Sequence, residues 1–552
     1  MRRANIGVMA AMLAMGVAAC GEVESATVGV PLYDDLGGHE YAISTSEPLA
    51  QRYFDQGLRL YYAFNHDEAI RAFDEGARLD PNCAMCYWGR AASLGPNINM
   101  PQTPEAALAA YEALQQAQAV AHHAGPVEQA LIEALSTRYA ANPPENRAPL
   151  DSAYARAMGD VAARFPDDVE VATLHAESLM DLSPWSYWER DGTARPDTPE
   201  LLAQLEKALA ASPDHPGANH FFIHAVEAVD PERAVPMAER LAGLMPGAGH
   251  LVHMPGHIYI RVGRYEDAIR ANEHAVHADE SYIQDQNPAM GIYTLGYYPH
   301  NYDFLAFAAS MIGRDEQAIG AVDRMVELVP EEVLFAPGMS LLQNVVMRPY
   351  QMRVRFGRWD EILATDAPAA ELGHARAMWH YARGRALAAT GDVDGAEREL
   401  AAVRIAARDP EITGLQLEFN KAGAILGMAE RVLGGIVAAG RGDHDQAFSQ
   451  LREGAAIEDG LVYGEPPEWS VPVRQELGVL LLEQGRAAEA EQAFREDLER
   501  FPDNGWSLRG LGQALAAQGR VAEAERVAAR FEAMWGGAEV EVEVAGRYES
   551  QG

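Results

Sequence analysis

One short phrase recurs along this chain and constrains its fold more than any other feature. It opens on Gly and reaches a small or apolar residue five positions later: GRYEDA at 263–268, GRDEQA at 313–318, GRWDEI at 357–362, GDVDGA at 391–396, GDHDQA at 442–447, GRAAEA at 485–490 and GRVAEA at 519–524. NHDEA at 65–69 is an earlier variant. A helical pattern precedes each phrase, and a second one follows it and ends near Asp-Pro or Phe-Pro. The step from Ala490 to Ala524 is 34 residues, as is the step from Ala234 to Ala268. Two helices joined by a tight turn cannot bury their apolar faces alone, so a repeat of this length predicts stacked hairpins.

In the copy from Val471 to Pro502, the residues Gly478, Leu481, Ala490, Phe494 and Pro502 supply small, large, small, aromatic and helix-ending positions in turn. This pattern resembles the tetratricopeptide repeat. The resemblance covers most of residues 47–535; it is least regular from 97 to 200, and intervals of 43 to 51 residues elsewhere imply loop insertions. It implies an all-α chain, an α-solenoid of helix-turn-helix repeats wound into a right-handed superhelix with a concave face. It also implies a peptide or protein partner on that face. CAMCYWG, HMPGHIYIR, YYPHNYDF and EPPEW together resemble a group of long bacterial tetratricopeptide proteins, which strengthens the fold expectation and adds no reaction.

Apolar residues make up 48% of the chain, without short alternating runs, in keeping with helices. The formal net charge is −37 and no long basic block offsets it, which argues against nucleic acid as a partner, because phosphate binding needs Lys and Arg. Arg2 and Arg3, the apolar run from Ile6 to Met15 and Val17-Ala18-Ala19-Cys20 read as a signal segment too short to span a bilayer. VAAC resembles the lipobox of bacterial lipoproteins. That likeness implies cleavage before Cys20, lipidation of its sulfur, and membrane contact through this anchor only. The expected location is the cell envelope, facing the periplasm; Gly21 favours the outer membrane in a Gram-negative cell. The expected organisation is a signal peptide at 1–19, a lipidated tether at 20–46, partly irregular repeats at 47–215, a His-rich central block at 216–330, further repeats at 331–535 and an acidic tail at 536–552.

Nine of the 17 histidines lie between His215 and His300, where random scatter would put about three. With Gly263 as position 15 of its repeat, His250, His253 and His257 take positions 2, 5 and 9, which the repeat resemblance places on the groove. At 100° per residue they share an arc of about 60°. The preceding repeat carries His220, His224 and Glu227, and the following one puts His300 at position 2. Such a set suits a transition metal, Zn or Cu, with Glu227 as a fourth ligand or as an orienter of the others. The blander use is a polar groove lining. Pro255 complicates the helix: either it kinks between His253 and His257, or it begins nearer Met254.

Cys83-Ala-Met-Cys86 is followed by Tyr87, not His, so no haem attachment is expected; the pair is a redox or metal candidate, a disulfide, or simple packing. Trp88, Trp185, Trp188 and Trp469 are expected as packing, and YGEPPEWSVPVR as a rigid loop in which Glu465 and Arg474 could pair. Three functional readings follow: a His-rich pocket for a transition metal or small polar ligand, a scaffold for a peptide or protein partner in the cell envelope, and a metal-dependent hydrolase. The third is the weakest, since no residue marks a nucleophile or a substrate pocket.

Overall fold

The computed structural model describes residues 29–538 and residue 540. Cys20, the signal segment and the acidic tail beyond Val540 lie outside the described residues. Among those described, the regular structure is helical, and β pairing is limited to two isolated bridges, Trp188 with Ala194 and Gln416 with Lys421. The chain divides into two compact units, one running to Ile258 and including His274–Tyr298, the other combining Tyr259–Glu273 with Pro299 onward.

The first unit begins with α1 (Pro48–Tyr62), α2 (His66–Leu79), α3 (Ala84–Ser93) and α4 (Pro104–Val120). It continues through α5 (Pro126–Leu135), α6 (Ala148–Arg164), α7 (Val169–Met180), α8 (Thr198–Ala211), α9 (Pro216–Val226), α10 (Val235–Leu244) and α11 (Gly249–His253). Neighbours pack as hairpins, α1 with α2, α3 with α4, α7 with α8 and α9 with α10. Local chemistry sets the helix starts. Asn65, Thr103 and Asp168 accept backbone N–H bonds at the first turns of α2, α4 and α7, and Pro occupies an opening position of α1, α4, α5 and α9. Helix α9 is buried along its whole length.

Residues 29–46, expected as a tether, instead form a strap packed along α1. The N–H groups of Tyr33, Tyr41 and Ile43 donate to Gln56, Asp55 and Gln51 at 2.9, 3.0 and 2.9 Å, and Leu36 is buried. Three side chains of α1 are thus spent on the strap's backbone, which an extended segment needs because it has no ladder of its own. At Pro255 the helix breaks rather than starts late: α11 ends at His253, Met254 forms a turn, and α12 (Pro255–Arg261) follows. The missing proline N–H is accommodated in that turn, where the His257 N–H donates to the Met254 carbonyl at 3.1 Å.

In the second unit the hairpins are regular: Gly373–Ala389 with Val393–Ala406, Ala422–Gly440 with His444–Asp459, Val473–Glu483 with Ala487–Arg500, and Gly505–Ala517 with Val521–Trp535. Ala422–Gly440 is apolar and long enough to cross a membrane, but 61% of its most apolar window is buried inside the protein, so it is read as a core helix. The small and aromatic positions of the repeat find their reason at Phe494. A Cβ at Gly478 would lie 2.5 Å from its ring, and one at Gly510 would lie 2.2 Å from it. Arg474 pairs with Asp459 and Glu496, not with Glu465, whose carboxylate bonds the Tyr463 hydroxyl. The EPPEW loop is fixed by Glu468, which accepts the N–H groups of Glu418 and Phe419.

All seven glycines that open the recurring phrase adopt the left-handed conformation, with φ between 63° and 93°. That is the reason for Gly there, since an L side chain is strained at such φ. The NHDEA variant departs from the rule. Phe64 stands five residues before Ala69, where the others have Gly, and takes φ 55° all the same.

Candidate metal centre

Helix α9 carries His220 and His224 one turn apart, Glu227 caps its C-terminus, α11 carries His250 and His253, and α12 carries His257. All six are buried. Ligand atoms of His220, His224 and His250 lie within 4.8 Å of one another, as do those of His224, Glu227 and His257. The break at Pro255 keeps the sequence neighbours in contact: ring centroids are 5.9 Å apart for His250 and His253, and 4.8 Å for His253 and His257.

Hydrogen bonds decide which nitrogens can accept. His220 Nδ1 donates to the Tyr62 carbonyl at 2.7 Å, and His224 Nδ1 donates to Glu227 Oε1 at 3.2 Å. A neutral imidazole has one N–H, so both rings present a bare Nε2 lone pair. Both of these Nε2 atoms, and both nitrogens of His250, are buried with no hydrogen-bond partner among the described residues. Each such orphan costs about 1–3 kcal/mol, a penalty that a bound cation would remove at the lone-pair nitrogen of each ring. Burial, reinforced by the neighbouring imidazoles, holds His220 and His250 well below the ordinary histidine range, and burial lowers His224 too. Neutral imidazole is the ligand form. An ion with bonds of about 2.1 Å sets its ligand atoms roughly 3.4 Å apart, so the three rings reach it by small side-chain rotations.

Glu227 serves two imidazoles. Its Oε1 takes the His224 proton, while Oε2 lies 2.8 Å from His257 Nδ1. Burial would raise its carboxyl, but the facing His257 and His224 hold it down at about 2. His253 Nε2 and His257 Nε2 are 2.9 Å apart, a hydrogen bond between imidazoles.

A second cluster, His39, Glu170 and His215, has a similar composition and a different logic. His215 Nδ1 accepts the Ala218 N–H at 3.1 Å, capping α9, so its proton sits on Nε2 and goes to Glu170 Oε1 at 3.1 Å. His39 Nε2 meets the same oxygen at 2.5 Å, and the Tyr62 hydroxyl donates to the other. Burial would raise the Glu170 carboxyl, but the facing His215 and His39 hold it well below the usual carboxylate range. Both Glu170 oxygens and both His215 nitrogens are committed, which makes this a clamp between strap, α1, α7 and α9. Tyr62 joins the two clusters, since its carbonyl orients His220.

Aromatic rings cover the histidine centre. Phe64 packs on His220, His250 and His224 with centroids at 4.6, 5.4 and 6.3 Å, and Trp185 meets His224 edge-on at 5.0 Å. Tyr297 lies 4.5 Å from His250. Asn99 ties two of these together, accepting from Trp185 Nε1 at 3.0 Å and donating to the Tyr297 hydroxyl at 3.3 Å. Trp185 has φ 58°, so two bulky residues in left-handed backbone both pack on His224. Strain of about 1–3 kcal/mol at such positions concentrates at functional sites.

His300 belongs to the second unit, in the helix Tyr298–Met311, edge-on to Phe304 at 5.0 Å. Cys83 and Cys86 form a disulfide, both are buried, and Cys83 caps α3. Sequence reasoning missed His39, Phe64 and Trp185. Only Phe64 left a signal, as the one phrase position that should have been Gly.

The fold and the site define a class: an all-α protein of stacked tetratricopeptide-type hairpins with a buried, imidazole-lined centre in its first unit. The family described as Tetratricopeptide repeat matches residues 481–531. No curated protein sequence matches the chain. Solved structures similar to it include a human IFIT1 dimer with m7Gppp-AAAA, at 11% identity and TM-score 0.30, covering 89% of this chain and 91% of that one. The TPR domain of P58(IPK) is similar at 11% identity and TM-score 0.23, covering 85% and 98%, and yeast Tom70 at 11% and 0.28, covering 88% and 93%. The hairpin pattern of this chain's own helices and the family match carry the fold assignment.

Proposed function

We propose that the first unit binds one transition-metal ion, zinc or copper, through His220, His224 and His250, with Glu227 and the Tyr62 carbonyl holding two of the rings in the ligating tautomer. The observation that supports it most is that His220, His224 and His250 each hold a buried nitrogen with no hydrogen-bond partner among the described residues, and bring ligand atoms within 4.8 Å of one another. An all-imidazole set suits zinc or copper over magnesium or calcium. Three ligands leave a fourth position open, where such an ion activates water or takes a small ligand. Glu227 is committed to two imidazoles and is poorly placed to act as a base, which disfavours the hydrolase reading.

The test is elemental analysis of the purified full-length protein, native and as His220→Ala/His250→Ala, with helicity checked by circular dichroism. Near-stoichiometric zinc or copper that disappears in the folded variant supports the site. Native protein that is metal-free and resists reconstitution with either ion overturns it.

A second reading, a scaffold for a peptide or protein partner in the cell envelope, is favoured by the family match at 481–531. Retention of an envelope protein by the immobilised His220→Ala/His250→Ala variant, as well as by the native chain, would support that role apart from metal. We further propose that the chain is exported and lipid-anchored at Cys20 on the sequence grounds above. Palmitate labelling that persists in Cys20→Ser would overturn that part.

A further inference from the structure

The first unit holds a cavity of about 350 Å³ bounded by the strap, the end of α1, the segment from Ala242 to Val252 and the helix α13 (Tyr265–Gln286) with the turn beyond it. Its size is that of a site for a small organic molecule. Three tyrosines form part of the wall, Tyr33, Tyr282 and Tyr293. Each of their hydroxyls is drawn off into the protein by a carboxylate: Tyr33 donates to Glu68 Oε1 at 2.9 Å, Tyr282 to Glu68 Oε2 at 3.4 Å, and Tyr293 to Asp279 Oδ1 at 2.5 Å. What remains for the cavity is the rings. A phenol that donates to a carboxylate gains electron density in its π face, the face that attracts cations.

The carboxylates of the wall agree in sign. Asp35 and Asp285 stand exposed at the rim beside His274 and His277, and the described lining residues include no Lys or Arg. Ala63, Gly247, Ala248 and Ala278 keep the walls small and apolar between the rings. Electron-rich rings 5.1 Å apart at Tyr282 and Tyr293, flanking carboxylates and an apolar lining form the combination that holds an organic ammonium, which needs charge compensation without strong hydrogen-bond acceptors.

We infer that this cavity is a binding site for an organic cation of the alkylammonium class. The site is separate from the histidine centre and does not depend on metal being bound there.

The discriminating experiment is calorimetric titration of the full chain with choline and with its neutral isostere, 3,3-dimethylbutan-1-ol. Choline is expected to bind at least about tenfold more tightly, because the isostere keeps the shape and loses the charge. Tyr282→Leu should weaken choline by about tenfold, and Asp285→Asn by a smaller, salt-sensitive factor. Ala278→Trp, which fills the space, should abolish binding while circular dichroism stays native. Competition by phosphatidylcholine vesicles and not by phosphatidylglycerol vesicles assigns the cation to a lipid headgroup; absence of competition assigns it to a free solute. Equal affinity for choline and the isostere, or choline binding unchanged in folded Ala278→Trp, overturns the inference.

Discussion

The Phe64 ring lies 5.4 Å from the His250 imidazole, at 24° to it, and the residue that holds it there has left-handed backbone at φ 55°. Seven equivalent positions in later hairpins use Gly at this conformation. The turn therefore does not need Phe; the histidine centre does. A side chain that the turn itself does not require is held at a backbone cost where its ring packs on three imidazoles.

Strain at Phe64 makes a prediction about the order of two substitutions. Truncating a buried Phe costs about 3–5 kcal/mol, and Gly is ordinarily worse than Ala by about 0.5–1 kcal/mol. At a left-handed residue the order inverts, because only Gly takes that φ without a penalty. Phe64→Gly should therefore be more stable than Phe64→Ala by about 1 kcal/mol, measured as the difference in free energy from urea unfolding. The usual order, Ala above Gly, would show that the left-handed conformation is not held in solution.

The division of labour between His224 and Glu227 is testable by an isosteric change. Glu227→Gln keeps one oxygen acceptor and turns an N–H₂ toward the other imidazole, which pushes that ring into the tautomer with its proton on Nε2. Orienting partners of metal ligands typically contribute about 10–100-fold in affinity. The expected outcome is a loss of that size in chelator competition, with unchanged stoichiometry at saturating metal. Failure to bind at any metal concentration would make Glu227 a ligand.

What the sequence disclosed here was local and periodic. The turn glycines and the small and aromatic positions at Gly478 and Phe494 follow from spacing within one hairpin and appear where the pattern put them, while His220 and His224, expected on an open groove, share one side of α9 but are buried. Three things did not follow. His39 meets Glu170 across 131 residues, and its segment reads as a tether because its order comes from side chains of α1 rather than from its own periodicity. Trp185 lies in a loop, and its left-handed backbone is imposed by tertiary contacts that no propensity encodes. Glu227 follows His224 by three residues, which suits a ligand and an orienter equally. Only the direction of its hydrogen bonds distinguishes them.

The clamp at Glu170 predicts how the strap comes loose. His39, His215 and Tyr62 all converge on this carboxylate, and the Tyr62 hydroxyl needs an acceptor where Glu170→Gln would present either an oxygen or an N–H₂. One buried donor is left facing another, at a cost of about 1–3 kcal/mol. Limited proteolysis should then cut faster within residues 29–46, ahead of global unfolding. An unaltered cleavage pattern with normal stability would mean that the strap is held by its α1 contacts alone.

The second unit offers a pH-dependent prediction that rests on a carboxyl group. Burial pushes the Glu458 carboxyl up to about 7, partly offset by Arg500, while Asp497 adds to the rise; the group accepts the Val473 N–H at 3.1 Å. Its unfolded value is near 4.5. As pH rises from about 4.5 the unfolded chain gives up the proton first, so this group's contribution favours unfolding increasingly up to about pH 7 and levels off above it. At about 1.4 kcal/mol per unit the full effect is of order 3 kcal/mol. Glu458→Gln has no proton to lose and keeps an oxygen for Val473, so its stability relative to the native chain should rise by about 2–3 kcal/mol between pH 5 and pH 8. Urea unfolding of both proteins at the two pH values reads this directly. The difference between them, not either curve alone, isolates Glu458 from the other carboxyls. A stability gap that is the same at pH 5 and pH 8 would mean that the carboxyl titrates normally in the folded protein.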